Sequence, residues 1–333
     1  MPTALSLLDL APISAGQTAR DSFAASVALA QTAERAGYQR VWYAEHHNMA
    51  VIASSATSVV IGHVAEHTST IRLGAGGVML PNHSPLVIAE QFGTLETLHP
   101  GRIDLGLGRA PGSDQVTMRA LRRDHLSADT FPQDVVELQG YLAGESVIPG
   151  VEAVPRAEQP VPLYILGSSL FGAQLAARLG LPYAFASHFA PDALHQAVRV
   201  YRETFTPSAQ LAEPYVIVGV NVVAADDHDQ AVAQMTAAYR ARTRAFITRG
   251  TRGRNFTDAE IDAFLASPGG EHLRSMTRYT AVGTPDEVRD YLQEFAATAQ
   301  ADELITAHHA QSVPDRLRSV ELTGAAMAAP AVA

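Results

Sequence analysis

Cysteine is absent from all 333 residues. Disulfides, thiolate nucleophiles, iron–sulfur clusters and cysteine-ligated zinc are thereby excluded. Long apolar runs are missing too: none approaches the roughly 18–20 residues that span a bilayer. The opening Met1-Pro2-Thr3-Ala4-Leu5-Ser6 has no basic region followed by an apolar stretch, so no secretion signal is read and the cytoplasm is the expected location. Basic residues are outnumbered, 24 Lys and Arg against 34 Asp and Glu, for a net charge of −10. An acidic chain does not attract phosphate backbones or anionic lipid in bulk, so neither nucleic acid nor membrane is an expected partner. An anionic ligand needs a local site. A G-x-G-x-x-G run after the first strand is also lacking, which argues against a dinucleotide-binding open sheet.

What is present is ordinary globular material, 47% hydrophobic and 17% charged. Short apolar segments alternate with longer amphipathic ones. Strands are expected at 4–8, 40–43, 71–79, 103–107, 163–166, 183–186, 215–223 and 303–306. Helical patterns lie between them, at 19–36, 54–66, 86–98, 132–143, 170–179, 191–204, 230–247 and 287–297, and one at 314–322 follows the last strand. Gly37 and Gly180 read as helix stops, and Thr284 or Asp286 as a cap. Regular alternation predicts a parallel sheet covered by helices. Eight strand–helix units predict closure into a single TIM (β/α)8 barrel spanning 1–333. The polar stretch 248–278 reads as an insertion between strands seven and eight and a candidate lid, and the small residues 324–333 as a frayed tail.

Chemistry in such barrels sits where the strands end. The expected ends carry Asp9, Glu45-His46-His47, Asn82-His83, Gly108-Arg109, Gly167-Ser168-Ser169, Ser187-His188, Asn221 and His308-His309. Six of the 13 histidines fall in this set, which reads as a reaction site rather than as ordinary polar loop starts.

Gly167-Ser168-Ser169-Leu170-Phe171-Gly172 turns from a strand into a helix N-terminus. Free amides there face a ligand and the helix dipole favours an anion, by roughly 0.3–1 kcal/mol per charge. Ser168 and Ser169 add hydroxyls, and Arg109 on the adjacent strand can fork onto phosphate oxygens. The competing reading is a serine helix cap with Arg109 in a salt bridge. Gly76-Gly77 lies inside a strand, where glycine suits either a flat ring lying against the backbone or a bulge at a barrel corner.

Two metal patterns are weighed and set aside. His63-Val64-Ala65-Glu66-His67 matches H-x-x-E-H, but its helix belongs on the barrel's outside. His46-His47 are adjacent on an extended strand, so only one can point inward. No metal is expected.

Taken together, Val41-Trp42-Tyr43-Ala44-Glu45-His46-His47, the run Ile71 to Pro85 and the run Pro100 to Arg109 resemble the core motifs of the bacterial luciferase-like monooxygenase superfamily. Gly180-Leu181-Pro182-Tyr183 and Val282-Gly283-Thr284-Pro285-Asp286-Glu287 fit as well, so the resemblance covers essentially the whole chain. It implies an FMN cofactor, used in its reduced form and delivered by a separate NAD(P)H-dependent flavin reductase. Dioxygen and a small organic molecule are the implied co-substrates, in a two-component monooxygenase. A non-proline cis peptide under the flavin ring is implied at Gly76–Gly77, phosphate contacts at Arg109, Ser169 and the amide near Gly172, and a catalytic base at His46. A homodimer is implied through helices near strands two and three, with apolar faces around 53–60 and 87–95. Luciferase has a reactive cysteine before the phosphate arginine; here it is Gly108, so light emission is not implied. Part of the superfamily uses a deazaflavin coenzyme instead, whose acidic tail calls for a basic groove such as Arg252 and Arg254 begin. From other classes, a flavin-binding protein without turnover and a metal-dependent barrel hydrolase are the remaining alternatives.

Overall fold

Eight parallel strands close on one another in the computed structural model, which describes residues 3–14, 16–110, 114–248, 255–310 and 312–328. They are β1 (Ala4–Asp9), β2 (Arg40–Tyr43), β3 (Arg72–Met79), β4 (Ile103–Gly108), β5 (Leu163–Gly167), β6 (Tyr183–Phe185), β7 (Val216–Ala224) and, after an extra strand β8 (Thr280–Gly283), β9 (Glu303–His308). Around the barrel the order is β1 to β7 and then β9, which pairs back onto β1. The fold is the TIM barrel read from the alternation.

Side-chain parity divides each strand between two cores. On β2, Val41 and Tyr43 face the surrounding helices, whereas Trp42 and Ala44 join Leu8, Tyr164, Ala184, Ile217 and Ile305 inside the barrel. On β4 the residues facing the helices are Ile103, Leu105 and Leu107. The opposite parity there is Asp104, Gly106 and Gly108. The helices Ala19–Arg35, Pro85–Leu98 and Leu170–Leu179 each bury one apolar stripe against this sheet. Gly180, at φ +63°, ends the last of these in the left-handed region.

The barrel floor is polar and buried. Arg40, at the start of β2, donates from Nε to Glu303 Oε1 at 2.9 Å and from Nη1 to Asp104 Oδ2 at 2.8 Å and the Tyr164 hydroxyl at 2.7 Å. Ser6 and Tyr215 donate to the Glu303 carboxylate and Trp42 to that of Asp104. Burial by itself would lower the Arg40 pKa; the two carboxylates outweigh it and leave it raised. This plug ties the lower ends of β1, β2, β4, β5 and β9 and the residue leading into β7, and closes the bottom of the barrel, so a ligand must come in at the other end.

Three features depart from the sequence reading. β8 occupies the upper half of one β7 edge, pairing with Asn221–Ala224, where β6 has ended. The stretch 248–278 is folded where it is described: Thr248 closes the helix His228–Thr248, and helices Asp258–Ala266 and Glu271–Met276 pack Ile261, Leu265 and Leu273 into a small core of their own. Residues 324–328 are not frayed, because they continue the helix Val313–Ala328, and a Cβ at Gly324 would lie 2.6 Å from the Ala36 carbonyl oxygen. Arg252, Arg254 and 329–333 lie outside the described residues. Thr284 forms a capping box with Glu287, the first of the two cap candidates.

Candidate active site

A cavity of about 260 Å³ opens at the C-terminal ends of the strands. His46, Gly76, Gly77, Arg109, Ser168, Ser169 and Gly172 all line it, so the barrel gathers the residues that the resemblance and the loop motif named for catalysis and FMN binding. The rest of the wall is largely apolar: Leu8, Leu10, Trp42, Met79, Phe131, Leu166, Phe185 and Ile305 among others.

The Gly76–Gly77 peptide is cis, and the β3–β4 register shifts between Gly76 and Val78. The bulge reading therefore holds. Neighbouring backbone and the indole account for the glycines: a Cβ on Gly76 would come within 2.8 Å of Trp42, and one on Gly77 within 2.6 Å of the Gly106 carbonyl oxygen. Gly77 is left presenting bare backbone to the cavity.

Strand parity settles the paired histidines. His46 follows Trp42 and Ala44 on the inward side and lines the cavity, whereas His47 turns away onto Glu45, Nε2 to Oε1 at 2.7 Å. His46 Nδ1 is buried with no hydrogen-bond partner. Burial lowers its pKa, so the ring is neutral at neutral pH. A neutral imidazole with an unused nitrogen at a closed site can hold or accept a proton.

Glu45, which the sequence reading left without a role, joins the ends of β2 and β3. Its carboxylate accepts from His47, from His83 Nε2 at 2.9 Å and from the Met79 amide at 3.0 Å. Burial alone would raise its pKa, but the hydrogen bond and charge of His83, with the other donors, leave it lowered. The ligand atoms of Glu45, His47 and His83 lie within 4.8 Å of one another. Their 2.7–2.9 Å contacts are hydrogen-bond distances. Two ligands of one tetrahedral zinc stand roughly 3.3 Å apart. The H-x-x-E-H residues sit on the outer helix Thr57–Ala65 and just beyond it, with His63 and His67 exposed.

Arg109 lies over the Phe171 ring, 3.9 Å from its centroid, and has no carboxylate partner among the described residues. Ser169 stands at the N-cap position of Leu170–Leu179, yet its hydroxyl makes no capping bond. Among the described residues neither a serine capping hydrogen bond nor an Arg109 salt bridge is formed. An unpaired guanidinium, two exposed hydroxyls and a helix N-terminus converge on one end of the cavity, a donor set that fits a phosphate. Phe171 was legible only as part of the loop motif; its packing under Arg109 is tertiary.

Not every strand-end residue joins the cavity. Asp9 is fully buried, held by Arg316 at 2.7 Å and Ser26 at 2.5 Å. His308 is a satisfied core histidine between Ser319 and Thr306. His188 does line the cavity, with a buried Nδ1 that has no partner.

A Cβ on Gly108, where luciferase has cysteine, would stand 2.9 Å from Met79 Sδ, so Met79 takes up part of that space.

Comparison with known proteins agrees with this geometry. Residues 3–302 match the family of luciferase-like monooxygenases. A luciferase-like monooxygenase of Escherichia coli K12 is 50% identical over 96% of this chain and 95% of its own. The crystal structure of apo-MsnO8 superposes with a TM-score of 0.87 at 36% identity, over 98% of both chains. Fold alone is shared with the oxygenating constituent of 3,6-diketocamphane monooxygenase from Pseudomonas putida in complex with FMN, at TM-score 0.71 and 16% identity over 97% of both chains. The same holds for an F420-dependent secondary alcohol dehydrogenase, at TM-score 0.70 and 15% identity over 98% of this chain and 99% of the other. Fold, site geometry and these similarities lead to one assignment: the chain belongs to the luciferase-like monooxygenase family.

Proposed function

We propose that the protein is the oxygenating component of a two-component, FMN-dependent monooxygenase acting on a small organic substrate in the cytoplasm. The observation that carries this reading is the convergence of Arg109, Ser168, Ser169 and the Leu170–Leu179 N-terminus at one end of a cavity whose middle exposes Gly77 backbone. Arg109, Ser169 and the Gly172 amide hold the phosphate. The Gly76–Gly77 backbone supports the flat ring. Reduced FMN, when bound, supplies the electron pair with which dioxygen is divided between product and water. The apolar walls exclude bulk water, and His46 holds and returns a proton at the ring edge. A separate NAD(P)H-dependent reductase supplies the reduced flavin, and the chain works as a homodimer with the helices of 258–276 as part of its cover. The deazaflavin coenzyme is the second reading: its relatives share the fold, and it would use the same phosphate end.

The test is an anaerobic titration with oxidised and reduced FMN, with Arg109→Ala alongside. Tighter binding of reduced FMN, weakened at least tenfold by the substitution, supports the reading. Binding of neither form would move the deazaflavin coenzyme to first place.

A further inference from the structure

Two histidines enter the cavity from opposite sides. The barrel closes in the order β1 to β7 and then β9, so β6 stands directly across from β2. Inward parity on β2 runs through Trp42, Ala44 and His46, and on β6 through Ala184, Ala186 and His188. All six line the cavity. His46 and His188 each follow the last residue of their strand by three positions.

His188 is held in place from several directions. Asn221 Nδ2 donates to its carbonyl at 2.8 Å, and the neighbouring Ser187 Oγ donates to the Gly219 carbonyl. Phe189 meets the ring edge-on, 4.9 Å between centroids. Gly219 shares the inward parity of Ile217 on β7, and a Cβ there would collide with the imidazole. The ring atoms nearest that point are Nδ1, Cγ and Cε1, so the Nε2 edge is turned away from β7. Nδ1 is buried and has no hydrogen-bond partner, which leaves Nε2 as the ring nitrogen open to a ligand. Burial pushes the His188 pKa down to about 3, so the ring is neutral. A proton on Nδ1 would be a buried donor without a partner; it therefore sits on Nε2. A glycine inside a strand and an unpaired buried nitrogen both cost stability. A histidine that only filled space would not need either.

The rest of the wall decides what fits. Arg109, Ser168 and Ser169 form the phosphate end. Beyond them, His46 and His188 are the only polar side chains among the described residues that line the cavity, and no carboxylate lines it. A charged group placed there would lose its water and meet no opposite charge. We propose that His188 Nε2 donates a hydrogen bond to the substrate, opposite His46, and that the substrate is an uncharged organic molecule bearing an acceptor oxygen. Which end of the cavity is left to the substrate rests on the flavin reading.

The sole tryptophan, Trp42, lines the cavity and reports occupancy through its fluorescence. The probes are heptan-2-one and 2-methylhept-1-ene, in which a methylene replaces the carbonyl oxygen. The preference for ketone over alkene is expected to be at least tenfold greater in the wild type than in His188→Phe. His188→Gln, which keeps an N–H near the Nε2 position, retains part of it. Gly219→Ala leaves the imidazole in the sequence but takes its space, and loses the preference as well; it carries the test if His188→Phe does not fold. The carbonyl stretch of the bound ketone lies at lower frequency in the wild type than in His188→Phe, a signature that a packing role would not produce. Heptanoate binds at least tenfold more weakly than the ketone once FMN, or Arg109→Ala where FMN does not bind, has removed the free cation. A ketone that fails to bind, a preference that survives both His188→Phe and Gly219→Ala, or heptanoate binding as tightly as the ketone overturns the proposal. A His188-dependent preference without FMN binding would sink the flavin reading alone; FMN binding without that preference would sink the His188 contact alone.

Discussion

The amide of Glu45 donates to the Gly77 carbonyl at 3.2 Å, while the Glu45 carboxylate accepts from the Met79 amide at 3.0 Å. One residue thus clamps the irregular stretch of β3 to the end of β2, and His46 is the next residue along.

Glu45→Gln keeps the shape but loses the charge that binds His47, His83 and the Met79 amide. A loss of about 1–3 kcal/mol is expected, with a several-fold fall in kcat. The folded Glu45 pKa lies below the ordinary glutamate value of 4.5. Its contribution is therefore present above that value and lost as pH falls through the folded one. Thermal unfolding of both proteins across pH 3–7 checks this: the gap should narrow below about pH 4.5. A gap that stays constant would mean the carboxylate charge is not what matters.

His46 titrates below its ordinary 6.5 because burial disfavours the cation. As a base it is active when neutral, so kcat/KM should fall on the acid side of pH 6.5 and stay flat just above it. Stability follows the same sign: the contribution of the neutral buried ring is complete above 6.5 and declines as pH drops toward the folded value. His46→Asn should lower the rate by about 10²–10⁴-fold and erase the acid limb. A pH profile unchanged in the variant would remove His46 from the proton transfer.

Two glycines that line the cavity should respond differently to alanine. At Gly77 the new Cβ meets Gly106 backbone at 2.6 Å, which cannot turn aside. A cost of about 1–3 kcal/mol and weaker FMN binding are expected. At Gly108 it meets Met79 Sδ at 2.9 Å, the end of a flexible side chain. Gly108→Ala should therefore cost less, and Met79→Ala should relieve what remains. Melting curves of the three variants and the double decide the point; equal losses at both glycines would contradict it.

Removing Arg40 leaves Glu303 and Asp104 facing each other in the barrel floor. Arg40→Leu should cost about 3–5 kcal/mol. Arg40→Leu combined with Glu303→Leu should recover part of it, since Asp104 keeps its bond to Arg72 Nε at 3.0 Å. Denaturant melts measure both, and additive losses would show that the charges are not coupled.

Alternation of apolar and amphipathic segments, together with the period-2 parity of each strand, was enough to determine the barrel, its strand ends and which residues reach them. Parity says that only one of His46 and His47 points inward, the family resemblance says which, and the Gly167–Gly172 turn follows from its residue types. Local pattern says nothing about which strand-end residues find partners. Asp9 and His308 carry the same polar signal as His46, yet distant Arg316 and Ser319 satisfy them. Arg240, Arg242 and Arg244 read alike on the helix His228–Thr248, and only the docking of the helix Asp258–Ala266 shows that, among the described residues, Arg240 and Arg244 find carboxylates there and Arg242 does not. Pairing depends on where far segments pack, and that was decided when the barrel closed.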